Sequence, residues 1–233
     1  EVYGSGGFTT YDDLRLREQL DGWLALGCDK VKIKIGESWG RETERDLDRV
    51  TATRNAVGDD VAVFVDANGG YDVRHASVVG SFLDTLGIAW FEEPVSSQDH
   101  DGLDRVRAHV RADVAAGEYG SDLASLVHLA PHVDCLQVDV TRCGGYTEWR
   151  RIAADPRLAD TDLSGHGAPY VSLPVAATTG RMRHVEYFHD HVRIAHRLFD
   201  GCPEPVDGRL PAPEGPGHGL TFRASDAQAL RVA

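Results

Sequence analysis

The amino-acid sequence predicts an α/β fold, a TIM-type barrel of eight parallel strands with (β/α)7β order. Three observations predict it. Apolar strand-like segments alternate with amphipathic helical segments through residues 1–200, and repeated βα units favour a parallel sheet. Acidic residues close three successive strand segments at positions 66, 92 and 118, one every 26 residues. No Gly-x-Gly-x-x-Gly follows a first strand, which removes the dinucleotide crevice of the competing doubly wound sheet.

The elements follow in order. Val2-Tyr3 opens a strand, and a glycine-rich turn, Gly4 to Gly7, ends it. Thr10 is the expected N-cap of a helix of about 15 residues, with Leu14, Leu16, Leu20, Trp23, Leu24 and Leu26 as its apolar stripe and Gly27 as its stop. Lys30 to Gly36 alternates lysines with β-branched residues, so a strand places Lys30, Lys32 and Lys34 on one face and Val31, Ile33 and Ile35 on the other. A helix over 42–57 carries Leu47, Val50 and Val57.

Val61 to Asp66 is a continuous apolar run ending on an acid, the pattern of a strand covered on both faces. The alternation continues with a helix over 72–86, the strand Ile88 to Glu92, a helix over 99–112 and the strand Val114 to Glu118. A helix over 121–130, the strand Cys135 to Asp139, a helix over 146–155 and the strand Asp162 to His166 come next. A last helix through Leu173 to Thr179 leads to the strand Val185 to Phe188. Beyond Asp200 five prolines, Pro203, Pro205, Pro211, Pro213 and Pro216, read as an irregular tail, 201–233, packing back on the barrel or a capping domain.

At 233 residues and 42% hydrophobic content the chain can bury one barrel-sized core. A formal net charge of −13 argues against nucleic acid or an anionic membrane as partner. Cys28, Cys135, Cys143 and Cys202 form no C-x-x-C pair, so neither a zinc knuckle nor a disulfide framework is expected. No run approaches the roughly 18 apolar residues that span a bilayer, and the expected setting is cytoplasmic. The chain begins on the strand-like Glu1 without Met, as a processed or truncated piece would.

Equal spacing puts Asp66, Glu92 and Glu118 at one level of three adjacent strands, at the C-terminal rim where barrel catalytic residues gather. A lone acid after a strand is commonly a helix cap. Three that converge repel one another unless a cation lies between them, and hard oxygen ligands select one Mg²⁺ or a similar divalent ion. Glu93 must point elsewhere on a strand, and Asn68 is a candidate substrate-facing group.

Asp139 and His166 close the next two strands. An Asp beside a His orients the imidazole and raises its basicity, which suits a general acid or base. Lys32 and Lys34 then lie across the metal, where mutual repulsion and burial are expected to lower the pKa of at least one. Glu186 stands among several polar groups of the last strand, with His189, Asp190 and His191. His189 and His191 also spell an H-x-H metal pair, a weaker reading than a polar pocket rim.

Lys32-Ile33-Lys34, Asp66-Ala67-Asn68, Glu92-Glu93-Pro94, Gly117-Glu118, the run Asp139 to Gly145 and His166 together resemble the enolase superfamily, in its mandelate racemase and muconate lactonizing enzyme-like branch. The resemblance implies that Asp66, Glu92 and Glu118 hold Mg²⁺, that Lys34 is one acid/base, and that His166 with Asp139 is the other. Lys32 would contact the substrate carboxylate, and Glu186 matches the family's last-strand acid only loosely.

The implied activity is removal of an α-proton from a carboxylate substrate through an enediolate, most simply dehydration of an acid sugar to a 2-keto-3-deoxy acid. Racemisation or epimerisation of a 2-hydroxy acid by the same residues is the alternative. The expected partners are a small carboxylate, a sugar acid, and further copies of the chain in a homo-oligomer. The family's N-terminal α+β capping domain is missing from this sequence, so a metal-binding barrel subunit that needs a partner cap is a reading of a different class. A phosphate-binding barrel finds too little support in Ser164-Gly165-His166-Gly167.

Overall fold

The computed structural model describes residues 1–213 and 215–231. Eight parallel strands close into a barrel in sequence order: β1 (Val2–Gly6), β2 (Lys30–Lys34), β3 (Ala62–Asp66), β4 (Trp90–Glu92), β5 (Asp113–Ala116), β6 (Cys135–Val138), β7 (Asp162–Gly165) and β8 (Met182–Phe188). Closure comes from β1 pairing with β8 in parallel, Tyr3 against Glu186. Seven helices cross between them: α1 (Asp13–Ala25), α2 (Thr43–Val57), α3 (Val73–Thr85), α4 (His100–Arg107), α5 (Leu123–Leu129), α6 (Tyr146–Ala154) and α7 (Pro169–Ala176). The (β/α)7β order expected from the alternation is the order present.

Two apolar layers hold it together. Val31, Ile33, Val63, Val65, Phe91, Val114, Leu136 and Leu163 face outward from the strands and bury against Leu16, Leu20, Val79, Leu83, Leu103 and Trp149 of the helices. Inside the barrel Tyr3, Phe64, Trp90 and Cys135 fill the lower half. Phe64 stacks on Trp90 at 5.3 Å, and His184 packs edge-on to Tyr3 at 4.8 Å. This aromatic floor excludes water from below, so polar side chains one layer up open only toward the C-terminal rim.

Several boundaries differ from expectation, each for a local reason. Asp12, not Thr10, caps α1, because its carboxylate accepts from the Arg15 N–H at the third helical position. Asp72 and Asp99 cap α3 and α4 in the same way. α4 ends at Arg107, short of 112, and α7 starts at Pro169, where a proline at the first position costs no backbone donor. An eighth helix, α8 (His189–Leu198), follows β8 directly, in a segment for which no element was expected. The tail is not wholly irregular: β9 (Phe199–Asp200) pairs antiparallel with β10 (Thr221–Phe222), and a short helix, α9 (Ala224–Gln228), follows. Among the described residues no helix is long and apolar enough to cross a membrane.

Candidate active site

Register in the sheet aligns the first group of residues. Lys34 pairs with Asp66 across β2 and β3, and Asp66 pairs with Glu92 across β3 and β4. Glu118 is not at that level, since Glu92 faces Ala115 and Glu118 lies past the end of β5. Gly117 brings it back. Its φ of +131° suits glycine, and a Cβ there would stand 2.5 Å from the Gln137 carbonyl oxygen. Asp66, Glu92 and Glu118 thus offer oxygens all within 4.8 Å of one another, every residue buried.

Lys32 is fully buried beneath the rim, its Nζ 2.6 Å from Glu92 Oε2, 2.9 Å from Glu186 Oε1 and 3.8 Å from Asp66. With no exposed surface, it has none to offer a substrate directly, contrary to the expected contact. Lys34 reaches Asp66 and also lines the open cavity. Burial disfavours both ammonium charges, yet the surrounding carboxylates raise both pKa values. The expected lowering by mutual repulsion is therefore outweighed here: Asp66 acts on Lys34 more strongly than Lys32 does, and Glu186 and Glu92 raise Lys32.

The second group centres on His166. Its Nδ1 lies 2.8 Å from Asp139 Oδ2, while the other Asp139 oxygen accepts from the Thr141 N–H and hydroxyl at 2.7 and 2.6 Å. Its Nε2 faces Glu118 Oε2 at 3.0 Å and Glu186 Oε2 at 3.6 Å. Against the burial that disfavours the charge, Glu186, Asp139 and Glu118 raise the imidazole pKa to about 10. His166 is accordingly an imidazolium in this arrangement.

Glu186, on β8, stands between Lys32 and His166. It accepts from the Ser5 hydroxyl at 2.6 Å and the Gly167 N–H at 2.7 Å, in addition to its contact with Lys32. Burial pushes it up, but Lys32, His166 and Lys34 hold it well below the usual carboxylate range. His189 and His191 lie on α8 and do not act as a pair. His191 Nδ1 accepts from the Ala168 N–H at 2.8 Å, whereas His189 lines a separate cavity with Tyr11 and Trp23.

Five carboxylates, Asp66, Glu92, Glu118, Asp139 and Glu186, thus meet four cations, Lys32, Lys34, His166 and the half-exposed Arg142. The deficit of positive charge is visible in Glu92, which burial and then Asp66 push up to about 8. Glu93, with φ +37°, leaves the strand path after Glu92 and is buried near Glu118 and Asp66, which together with its burial push it up to about 9. Two buried oxygens, Glu118 Oε2 and Glu93 Oε1, have no hydrogen-bond partner. His166 stands at ion-pair distance from the first without the alignment of a hydrogen bond. Unused hard oxygens in an anionic pocket fit a divalent cation well.

Beside this group lies an open cavity of about 530 Å³, lined by Lys34 and Asn68 and by Phe8, Trp39, Tyr119 and Phe188. Asn68 also donates its amide to Asp66, at 3.3 Å. Arg142 belongs to the run Asp139 to Gly145, yet nothing in the sequence pattern assigned it a role. The guanidinium contacts Glu118 at 3.2 Å and Asp139 at 3.6 Å and covers the Tyr119 ring, so it ties the two groups of residues together. A basic residue three positions after Asp139 was the available signal.

The family model for enolase C-terminal domain-like proteins matches residues 15–227. The chain is 33% identical over 226 residues to D-galactarolactone cycloisomerase of Agrobacterium fabrum, covering 89% of this chain and 58% of that protein. Its structure is similar to that of a mandelate racemase/muconate lactonizing enzyme-like protein from Rubrobacter xylanophilus, with a TM-score of 0.91, 45% identity, and coverage of 98% and 64%. It is also similar to L-talarate dehydratase from Polaromonas sp. JS666, solved with Mg and L-glucarate, with a TM-score of 0.87, 29% identity, and coverage of 97% and 62%. The chain spans about three-fifths of the length of these proteins.

Proposed function

The chain belongs to the enolase C-terminal domain-like family, and from that premise we propose that it removes the α-proton of a sugar acid and expels the β-hydroxyl as water, giving a 2-keto-3-deoxy acid. The observation that carries this reading is the pairing of two proton carriers, Lys34 on β2 and His166 after β7, with the carboxylates Asp66, Glu92 and Glu118. Those three carboxylates would hold Mg²⁺, which supplies positive charge for the oxygens of the enediolate.

The remaining work falls to the chain's own residues. Lys34 Nζ takes the proton from C2, and the C–H electron pair passes into the enediolate. It serves as a base only when Asp66, which keeps it protonated here, is engaged elsewhere, as a metal ligand is. His166 gives its Nε2 proton to the β-hydroxyl, the C–O bond breaks and water leaves. The resulting enol tautomerises to the 2-keto acid. Asp139 orients the imidazole through Nδ1, Lys32 and Glu186 fix the charge beneath the reacting carbons, and Asn68 contacts the substrate from the cavity wall.

A second reading is favoured by the same arrangement. With carriers on two separate strands, return of a proton to C2 from His166 makes an epimer instead, so the chain would be a racemase. We also propose that a capping domain closes the open cavity from above the rim and that the protein assembles as a homo-oligomer. The test is a panel of acid sugars incubated with Mg²⁺, with and without a capping domain supplied, and 2-keto acid followed as its semicarbazone. Keto acid supports dehydration, an epimer supports racemisation, and neither, with Mg²⁺ bound, supports a barrel that acts only as a metal-binding subunit.

A further inference from the structure

Away from the pocket, two pairs of residues spaced by four meet on the outer surface. His100 and Asp104 lie one turn apart on α4. His128, in α5, and His132, at the end of the turn Ala130–His132, face them. The His100 ring centroid lies 4.7 Å from that of His128 and 4.8 Å from that of His132, and the latter two are 6.5 Å apart. Spacing of i, i+4 sets two side chains on one helix face, the arrangement by which helical histidines chelate a metal.

His132 carries a second observation that points to a ligand. Its Nδ1 lies 2.9 Å from Asp104 Oδ2, so the carboxylate keeps the proton at Nδ1 and leaves the Nε2 lone pair for a cation. Metal-bound histidines ordinarily donate the far N–H to an acceptor such as a carboxylate, a backbone carbonyl or water. Burial, then His132 and His128, hold the His100 pKa below its ordinary value, which keeps that ring neutral and its lone pair available. Asp101 and Asp104 favour positive charge at the same place. Arg107, on the same helix, is engaged by Asp134 and the Pro131 carbonyl.

We propose that His100, His128 and His132 form a surface site for a transition-metal cation of the Zn²⁺, Ni²⁺ or Cu²⁺ class, with Asp104 orienting His132. Imidazole donors suit these ions, whereas Mg²⁺ takes oxygen. Among the described residues only Asp66, Glu92 and Glu118 already hold their ligand atoms within 4.8 Å of one another. The histidine site closes by turning His100 and His128 about their side-chain bonds, which the exposed His128 and half-buried His100 leave room to do. The bound ion would clamp α4 to the end of α5. The site rests on none of the catalytic assignments.

The test is calorimetric titration of Zn²⁺ into the metal-stripped full chain in the presence of excess Mg²⁺. The expected result is one Zn²⁺ per chain, weakened at least about 10-fold in Asp104→Asn, abolished in the His128→Ala/His132→Ala double variant, and retained in Asp66→Asn. Circular dichroism of each metal-free variant confirms that it is folded. Absence of a Zn²⁺ event in the wild type, an unchanged isotherm in the folded double variant, or loss of the event in Asp66→Asn would each overturn the proposal.

Discussion

Nδ1 of His166 lies 2.8 Å from Oδ2 of Asp139, and both side chains are buried. The aspartate therefore fixes the tautomer of the imidazole and, together with Glu186 and Glu118, holds its charge. Asp139→Asn keeps the shape and removes the charge. We expect proton transfer by His166 to fall by about 10²–10⁴-fold, the usual contribution of a positioned acid or base, while divalent-metal affinity changes little. Single-turnover rates in the variant, alongside Mg²⁺ titration, check the split.

Lys32 is enclosed between Glu92 and Glu186 at 2.6 and 2.9 Å with no exposed surface. Lys32→Met leaves two buried carboxylates without their cation, and removing one partner of a buried pair costs about 3–5 kcal/mol. Denaturant unfolding of the metal-free protein should show that loss as a lower midpoint at an unchanged slope. A variant as stable as the wild type would mean that the pocket's charges are balanced some other way.

His184 sits in the aromatic floor with Nδ1 2.9 Å from the Ser164 hydroxyl, and burial, then Lys30 and Arg183, push its pKa down to about 3. The unfolded chain binds this proton near pH 6.5, well before the folded one does. Stability is therefore undiminished by this group above about pH 6.5 and is lost as pH falls toward 3, by about 1.4 kcal/mol per pH unit. His184→Gln should flatten that part of the stability profile relative to wild type. An identical pH dependence in the two proteins would contradict the assignment.

Asp66, Glu92 and Glu118 are proposed as one ligand set, so each of Asp66→Asn, Glu92→Gln and Glu118→Gln should weaken Mg²⁺ binding strongly. Glu118→Gln has a further signature. The His166 imidazolium loses an anion 3.0 Å from Nε2, so its raised pKa should move back down. Calorimetry reads the first effect and NMR titration of the histidine reads the second.

The barrel and most of the pocket were legible because each strand carries its own signal. Alternation at period 2 in Lys30 to Gly36, and an acid every 26 residues from Asp66, are local patterns that one sequence displays. What local patterns left loosely defined depends on closure. Glu186 gains its position from Ser5 and Lys32, residues 181 and 154 positions away in the chain, which meet only when β1 and β8 pair. The lysine pKa values depend in the same way on anions brought from β3, β4 and β8, which the lysine strand alone does not display. β9 and β10 are two residues each, too short for periodicity to reveal. The histidine cluster joins two helices whose facing sides no motif records.

The most direct measurement of the central claim is Mg²⁺-dependent exchange of the C2 proton of acid sugars with D₂O, followed by NMR in the wild type, Lys34→Met and His166→Asn, each with a capping domain supplied. The proposed chemistry predicts exchange in the wild type that chelation abolishes, with each variant losing the transfer that its residue performs while still binding Mg²⁺. Wild-type protein that binds Mg²⁺ but exchanges no C2 proton with any acid sugar, or full exchange in Lys34→Met, would contradict it.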